Sequence, residues 1–317
     1  MKVTEYFKND GRKRVSFELL PPLKGDNIQK IYDTLDPLME FRPPYINVTY
    51  HREEVVYKKH SGGLLEPRIV RKRPGTVGIS AAIKFRYGVD VVPHIICGGF
   101  SKEETENALI DLHFLGITNI LVIRGDMVKS ESIFRPHPGG HEHSVDLVRQ
   151  VMNMNKGMYQ DDELENATST QFCVGVAGYP EKHEEAPNLQ TDLNHLKAKV
   201  DAGAAYIVTQ MFFDNSKYYA FVEMCRSAGI DVPIIPGLKP VSAKQQIYTL
   251  PKTFSVDIPF ELASEVEKCR DNAAAWNVGV EWAIEQSRDL FRNNVPIVHY
   301  FTMGRSDNIH RIVKAVI

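Results

Sequence analysis

Cysteine is scarce in this chain. Cys97, Cys173, Cys225 and Cys269 are the four among 317 residues, and no two of them form a C-x-x-C pair. Zinc-ribbon and dithiol redox sites therefore lack their usual ligands, and buried thiols in a reducing cytosol are expected. Charge of one sign is lacking too. The 38 basic and 40 acidic residues leave a formal net charge of −2. No field of one sign is available to hold a nucleic-acid backbone or an anionic membrane surface. No window approaches the roughly 20 apolar residues that a membrane helix needs. Residues 1–14 are charged and lack the apolar run of a signal peptide. A cytoplasmic protein without nucleic-acid or membrane partners is expected. The glycine pairs Gly62-Gly63 and Gly98-Gly99 fall in no P-loop or G-x-G-x-x-G pattern, so any nucleotide is bound without those loops.

What is present is an alternation of short apolar runs with amphipathic stretches. Residues 15–19, 45–50, 91–96, 119–123, 172–176, 206–210, 233–236 and 297–301 read as eight strands. Helical character is predicted over 26–41 (Asp26 as N-cap, Pro43-Pro44 as stop) and over 54–87 with a break at Pro74-Gly75. It recurs over 101–115, 145–155, 188–202, 217–228, most of 242–293, and 307–317. Ser101 with Glu103 and Glu104 reads as a capped first turn. The strands are continuous apolar runs, the pattern of parallel strands covered on both faces. Eight of them separated by helices predict a single-domain α/β (β/α)8 barrel over 1–317, with a doubly wound open sheet as the rival topology.

In such a barrel, residues just past each strand converge on one face. Those positions hold Glu18 before Pro21-Pro22, Asn47 to Tyr50, His94, Arg124-Gly125-Asp126, Gly178 to His183, Thr209-Gln210, Pro236 to Pro240 with Lys239, and Thr302 to Arg305. Glu18 and Asp126 are two carboxylates on separate strands, a pattern that suits an acid and an ionised partner in unlike environments. Glu18 ends an apolar strand, so loss of water is expected to raise its pKa and equip it to donate a proton. A rival constellation is metal-dependent hydrolysis by His94 with His137, His141 and His143. The basic run Arg71-Lys72-Arg73 reads as a solvated face.

At these strand ends the sequence resembles the methylenetetrahydrofolate reductase family. The match runs in order through V-S-F-E-L-L-P-P (15–22), N-V-T-Y (47–50), P-H-I-I-C (93–97), I-R-G-D (123–126) and G-Y-P-E-K-H-E-E-A (178–186). It continues through V-D-A-G-A (200–204), T-Q-M-F-F-D (209–214), P-G-L-K-P (236–240) and H-Y-F-T-M-G-R (299–305). The resemblance implies a (β/α)8 barrel that binds FAD. NADH or NADPH would reduce the flavin and leave, and 5,10-methylenetetrahydrofolate would then be reduced to 5-methyltetrahydrofolate, in ping-pong fashion.

Carried over by motif, Glu18 resembles the general acid and Asp126 the carboxylate beside flavin and pterin. Thr49, Gln210, Gln246 and Arg305, with Asp126, resemble substrate contacts. Tyr50, Arg52, His94, Arg124, Gly125, Asp126, Ser144, Tyr179, His183, Ala186, Asp192, His195, Ala198 and Lys199 fall at flavin-binding positions. The resemblance implies no metal and a homo-oligomer. His51-Arg52, Leu250 and the 127–143 segment depart from the pattern of some members. The chain ends directly after the barrel, so inhibition by S-adenosylmethionine through a C-terminal regulatory domain is not expected.

Overall fold

Continuous apolar strands bury both faces only if helices cover the outside and side chains fill the inside. In the computed structural model, which describes residues 1–7, 11–127 and 133–317, that is what eight of them do. The barrel strands are β1 (Arg14–Leu19), β2 (Tyr45–Val48), β5 (Asp90–Ile96), β6 (Asn119–Ile123), β7 (Cys173–Gly178), β8 (Tyr206–Met211), β9 (Ile234–Leu238) and β10 (Ile297–Phe301). All pairings are parallel, and β10 returns to β1 with Ser16 opposite His299 and Glu18 opposite Phe301. Closure excludes the doubly wound open sheet. Between β2 and β5 lies an antiparallel hairpin of β3 (Glu54–Lys59) and β4 (Leu65–Val70), outside the barrel.

The covering helices are α1 (Gln29–Leu35), α2 (Thr76–Tyr87), α3 (Lys102–Phe114), α4 (Ser144–Met154), α5 (Leu189–Asp201) and α6 (Asn215–Ser227). After β9 come α7 (Gln246–Phe254), α8 (Phe260–Lys268) and α9 (Asn272–Arg292), and α10 (Asp307–Val316) closes the chain. No helix among the described residues is long and apolar enough to cross a membrane.

Strand residues alternate between the helix layer and the barrel interior. The interior parity runs Tyr45, Val92, Leu121, Cys173, Tyr206, Val208, Ile235 and Ile297 at the lower level, all buried. Each large side chain there contributes about 2 kcal/mol by leaving water. Gly175 leaves room for the Tyr206 ring: a Cβ there would sit 2.2 Å from it. Val3 closes the floor, packed on this cluster with Tyr6 and Phe7 beside it. The plug is tied by Val3 N–H donating to Asn119 Oδ1 (2.9 Å) and Asn119 Nδ2 donating to Met1 O (2.9 Å).

Two elements depart from expectation. Helix was predicted over 54–87, but 54–70 is the hairpin and helix begins only at Thr76. Val55, Tyr57, Leu65 and Ile69 share one face of that ribbon, and Gly62 and Gly63 turn it with φ of 89° and 80°. β-Branched and aromatic residues on both sides of a glycine turn favour a hairpin over a helix. Asp26 is not an N-cap: α1 starts at Gln29, whose N–H is taken by Asn27 Oδ1, and Asp26 pairs with Lys30. By contrast, Ser101 and Glu104 form the full capping box of α3. Residues 128–132 of the 127–143 segment lie outside the described residues.

Candidate active site

One turn up the barrel interior, the apolar lining gives way to polar groups on the same parity. Ser16 and Glu18 come from β1, Asn47 from β2, His94 from β5 and His299 from β10. Glu18 Oε2 lies 3.6 Å from His94 Nε2 and 3.6 Å from His299 Nε2, and its side chain is 14% exposed. The other nitrogen of His299, Nδ1, is 2.9 Å from Ser16 Oγ, and Asn47 Nδ2 lies 3.3 Å from Nε2. Thr302 braces the strand end, its hydroxyl donating to Glu18 O at 2.7 Å.

Burial does push the Glu18 pKa up, but the contact with His299 and the charges of His94, His299 and His51 outweigh it, and the net direction is down. The expected rise is therefore corrected. Loss of water was anticipated, whereas the imidazoles from β5 and β10 were not. Burial also pushes His94 down to about 4, so His94 is neutral at pH 7.

A second group forms where β6 ends. Gly125 has φ of 88°, and a Cβ there would press on Ile96 at 3.2 Å, so the turn suits glycine. Asp126 is exposed. Arg124 makes a paired contact with Glu185, with Nη2 to Oε1 at 2.7 Å, and lies over the Phe134 ring at 4.6 Å.

Two cavities flank this tip. One, of about 280 Å³, lies between α4 and α5 and gathers Arg124, Ser144, Tyr179, His183, Ala186, Asp192, His195, Ala198 and Lys199. His195 and Lys199 reach it from one face of α5, as four-residue spacing predicts. Lys199 Nζ donates to Ala177 O at 2.8 Å, and burial lowers its pKa to about 8. Asp192 Oδ2 accepts from the His183 N–H at 2.9 Å. The first turn of α4 has no side-chain cap, leaving N–H groups beside Ser144. The other cavity, of about 490 Å³, includes Tyr50, Arg52 and His94. Most of the proposed flavin positions are thus divided between two hollows, one beside Arg124 and α5 and the other beside the end of β5.

The proposed substrate positions lie toward β2 and β8 to β10. Thr49 donates through N–H and Oγ1 to Leu19 O, at 3.1 and 3.3 Å. Gln210 is on the inward parity of β8, with its Oε1 accepting from Met211 N–H at 2.9 Å. Gln246 opens α7 and is held by Ser242 and Lys239. Arg305 follows β10 and is exposed, paired with Asp307 at 3.0 Å. Leu250 is buried in the cluster with Met211 and Val241.

The metal constellation does not assemble. His94 faces Glu18 inside the barrel, whereas His141 is engaged with Gln150 at 2.5 Å and His143 borders the α4–α5 cavity. No group of three candidate ligands occurs among the described residues. The basic run is only partly a solvated face. Lys72 pairs with Glu54, Arg71 lies over Tyr50, and half-buried Arg73 donates to Pro21 O. Ser16, Asn47 and His299 stand in the strand-end motifs, but sequence reasoning gave them no role. Their signal was parity: each shares the inward phase of its strand with a neighbour already singled out or with the apolar filling.

A closed α/β barrel with its polar groups gathered at the C-terminal mouth places the chain among the (β/α)8 barrels that carry a site on that face. Comparison with known proteins narrows this. The family model described as methylenetetrahydrofolate reductase matches residues 2–316. The 5,10-methylenetetrahydrofolate reductase of Escherichia coli (strain K12) is 32% identical over 304 residues, covering 95% of this chain and 90% of that one. Methylenetetrahydrofolate reductase 1 of Schizosaccharomyces pombe is 31% identical over 322 residues, covering 100% of this chain and 48% of that one. The chain belongs to the methylenetetrahydrofolate reductase family. It spans about half the length of the eukaryotic relatives it matches. A solved Clostridium thermocellum protein, described as binding two copies of 5-methyl-5,6,7,8-tetrahydrofolic acid, shares the fold with a TM-score of 0.55 at 13% identity, covering 98% of this chain and 97% of that one.

Proposed function

We propose that the protein is an FAD-dependent 5,10-methylenetetrahydrofolate reductase. It takes a hydride from NADH or NADPH in one half of a ping-pong cycle and yields 5-methyltetrahydrofolate for methionine synthesis in the other. The observation that carries the reading is Glu18, a nearly buried carboxylate set between two imidazoles at the barrel mouth. Family membership supports the reaction type.

The residues fit FAD. A dinucleotide needs donors for two phosphates and partners for ribose and ring edges. Arg124, His183, His195, Lys199 and the uncapped first turn of α4 offer the former around one cavity. Tyr50, Arg52 and His94 border the hollow on the other side of β6. When bound, FAD supplies a two-electron carrier between nicotinamide and folate.

The rest falls to the chain. Glu18 is held as an anion in the free protein, so it must gain a proton before it gives one to the folate. His299, oriented by Ser16, and His94 are the groups that face it for that exchange. Donation from Glu18 opens the imidazolidine ring to a 5-iminium cation. The Asp126 carboxylate stabilises that cation, and Gln210, Gln246, Thr49 and Arg305 orient the substrates. A cytoplasmic homo-oligomer is the expected working form.

The test begins with colour. Purified protein reconstituted with FAD is expected to be yellow, to bleach under anaerobic NADH or NADPH, and to regain its absorbance on addition of methylenetetrahydrofolate. Failure to take up FAD, or bleaching that methylenetetrahydrofolate does not reverse, overturns the proposal.

A further inference from the structure

Lys239 sits at the end of β9, 7% exposed. Burial alone lowers its pKa, to about 8, and no charged neighbour takes part. An ammonium held out of water without a counter-ion is costly, so its partners matter. Among the described residues there are two, both oxygens: Pro240 O at 3.4 Å and Gln246 Oε1 at 3.3 Å. The same Oε1 accepts from the Ser242 N–H at 2.8 Å and the Ser242 hydroxyl at 3.2 Å.

An ammonium and a backbone N–H can only donate. The carboxamide atom they meet must therefore be the oxygen, and Gln246 has one orientation, not two. Its Nε2 is turned away from them and makes no hydrogen bond to protein among the described residues. The turn that does this is itself held from outside. A Cβ on Gly279 would lie 1.9 Å from Val241 O, so α9 rests directly on the backbone between Lys239 and Ser242.

We propose that Lys239 is a positioning residue: with Ser242 it fixes the Gln246 carboxamide so that the amide NH2 meets the ligand as a donor. A side chain locked this way selects a neutral heterocycle that presents a carbonyl oxygen or ring nitrogen, and disfavours one that presents an N–H. The inference rests on the folate-reductase reading, in which Gln246 touches the folate.

The experiment uses FAD-loaded enzyme and both half-reactions. Lys239→Met is expected to raise the KM for methylenetetrahydrofolate roughly tenfold, the scale of one hydrogen bond to a charged group. kcat should stay within about twofold, and flavin reduction by NADH or NADPH should be unchanged. Lys239→Arg should recover most of the loss. Because the effect runs through Gln246, Lys239→Met placed on Gln246→Ala should add nothing further to KM. Should Lys239→Met fold poorly, Ser242→Ala gives a smaller rise with the same non-additivity. An unmoved KM, additive effects, or equal losses in both half-reactions overturn the proposal. Wild-type protein without folate reduction would instead overturn the functional reading beneath it.

Discussion

The centre of the barrel mouth and the tip of β6 hold the same kinds of groups under opposite conditions. At the centre, Glu18 is 14% exposed and its imidazole partners 6% and 0%. At the tip, Asp126 is exposed, and the Arg124–Glu185 pair stands 22% and 38% in water. In the first place, removing any one member strands a buried polar group, so chemistry and stability are tied together. In the second, water and salt absorb most changes. The centre is preset before ligand arrives, while the ion pair at the tip stands partly in water, where the proposed FAD would offer a phosphate in place of Glu185.

That contrast can be broken in order of expected effect. Glu18→Gln should lower folate reduction by on the order of 10²- to 10⁴-fold, the usual scale for a lost general acid. Reduction of the flavin by nicotinamide should survive within about twofold. Stopped-flow traces of the two half-reactions decide it, and equal losses in both would remove the acid role.

Acid stability comes next. His94 folds with its pKa depressed from 6.5 to about 4, so the unfolded chain binds its proton first. Stability should then fall as pH drops from about 6.5 to 4, by up to about 3 kcal/mol from this group. Glu18, whose pKa is also lowered, adds to the loss at still lower pH because its stabilisation needs the carboxylate. Urea midpoints across that range should slope less in His94→Gln, and parallel slopes would dismiss the cluster as the cause.

At the tip the effects shrink. Arg124→Ala should weaken FAD about tenfold, read by fluorescence titration of apoprotein, with little change in the folding midpoint. Glu185→Gln should cost under about 1 kcal/mol of stability and leave FAD binding equal or tighter. A large stability loss from Glu185→Gln would mean that the tip is as preset as the centre.

The sequence made the barrel legible because its strands are uninterrupted apolar runs. Residues 119–123 and 297–301 were placed to the residue, and the Ser101–Glu104 cap was readable from two side chains. The hairpin was not. Neither of its faces joins the main core, so charge-rich β3 and β4 gave a pattern compatible with either period. The site was half legible. Strand ends marked Glu18, Asp126 and Gln210, but the direction of the Glu18 shift depends on His299, nearly the whole chain away in sequence and two residues down the neighbouring strand, opposite Ser16. Lys239 was visible as a strand-end residue without a role. Its meaning lies in which amide oxygen it meets, and no spacing encodes that.

The Val3 plug and the ring of Tyr45, Tyr206 and Ile297 beneath the mouth make the barrel a cul-de-sac. Whatever reaches Glu18 enters and leaves by one doorway. In the reaction proposed above, two substrates that need the same inner wall would not pass through in file, so each would vacate before the next arrives. On that proposal, alternation of occupants would be a matter of plumbing as much as of affinity, and product left in the doorway would act as a stopper on the following turn.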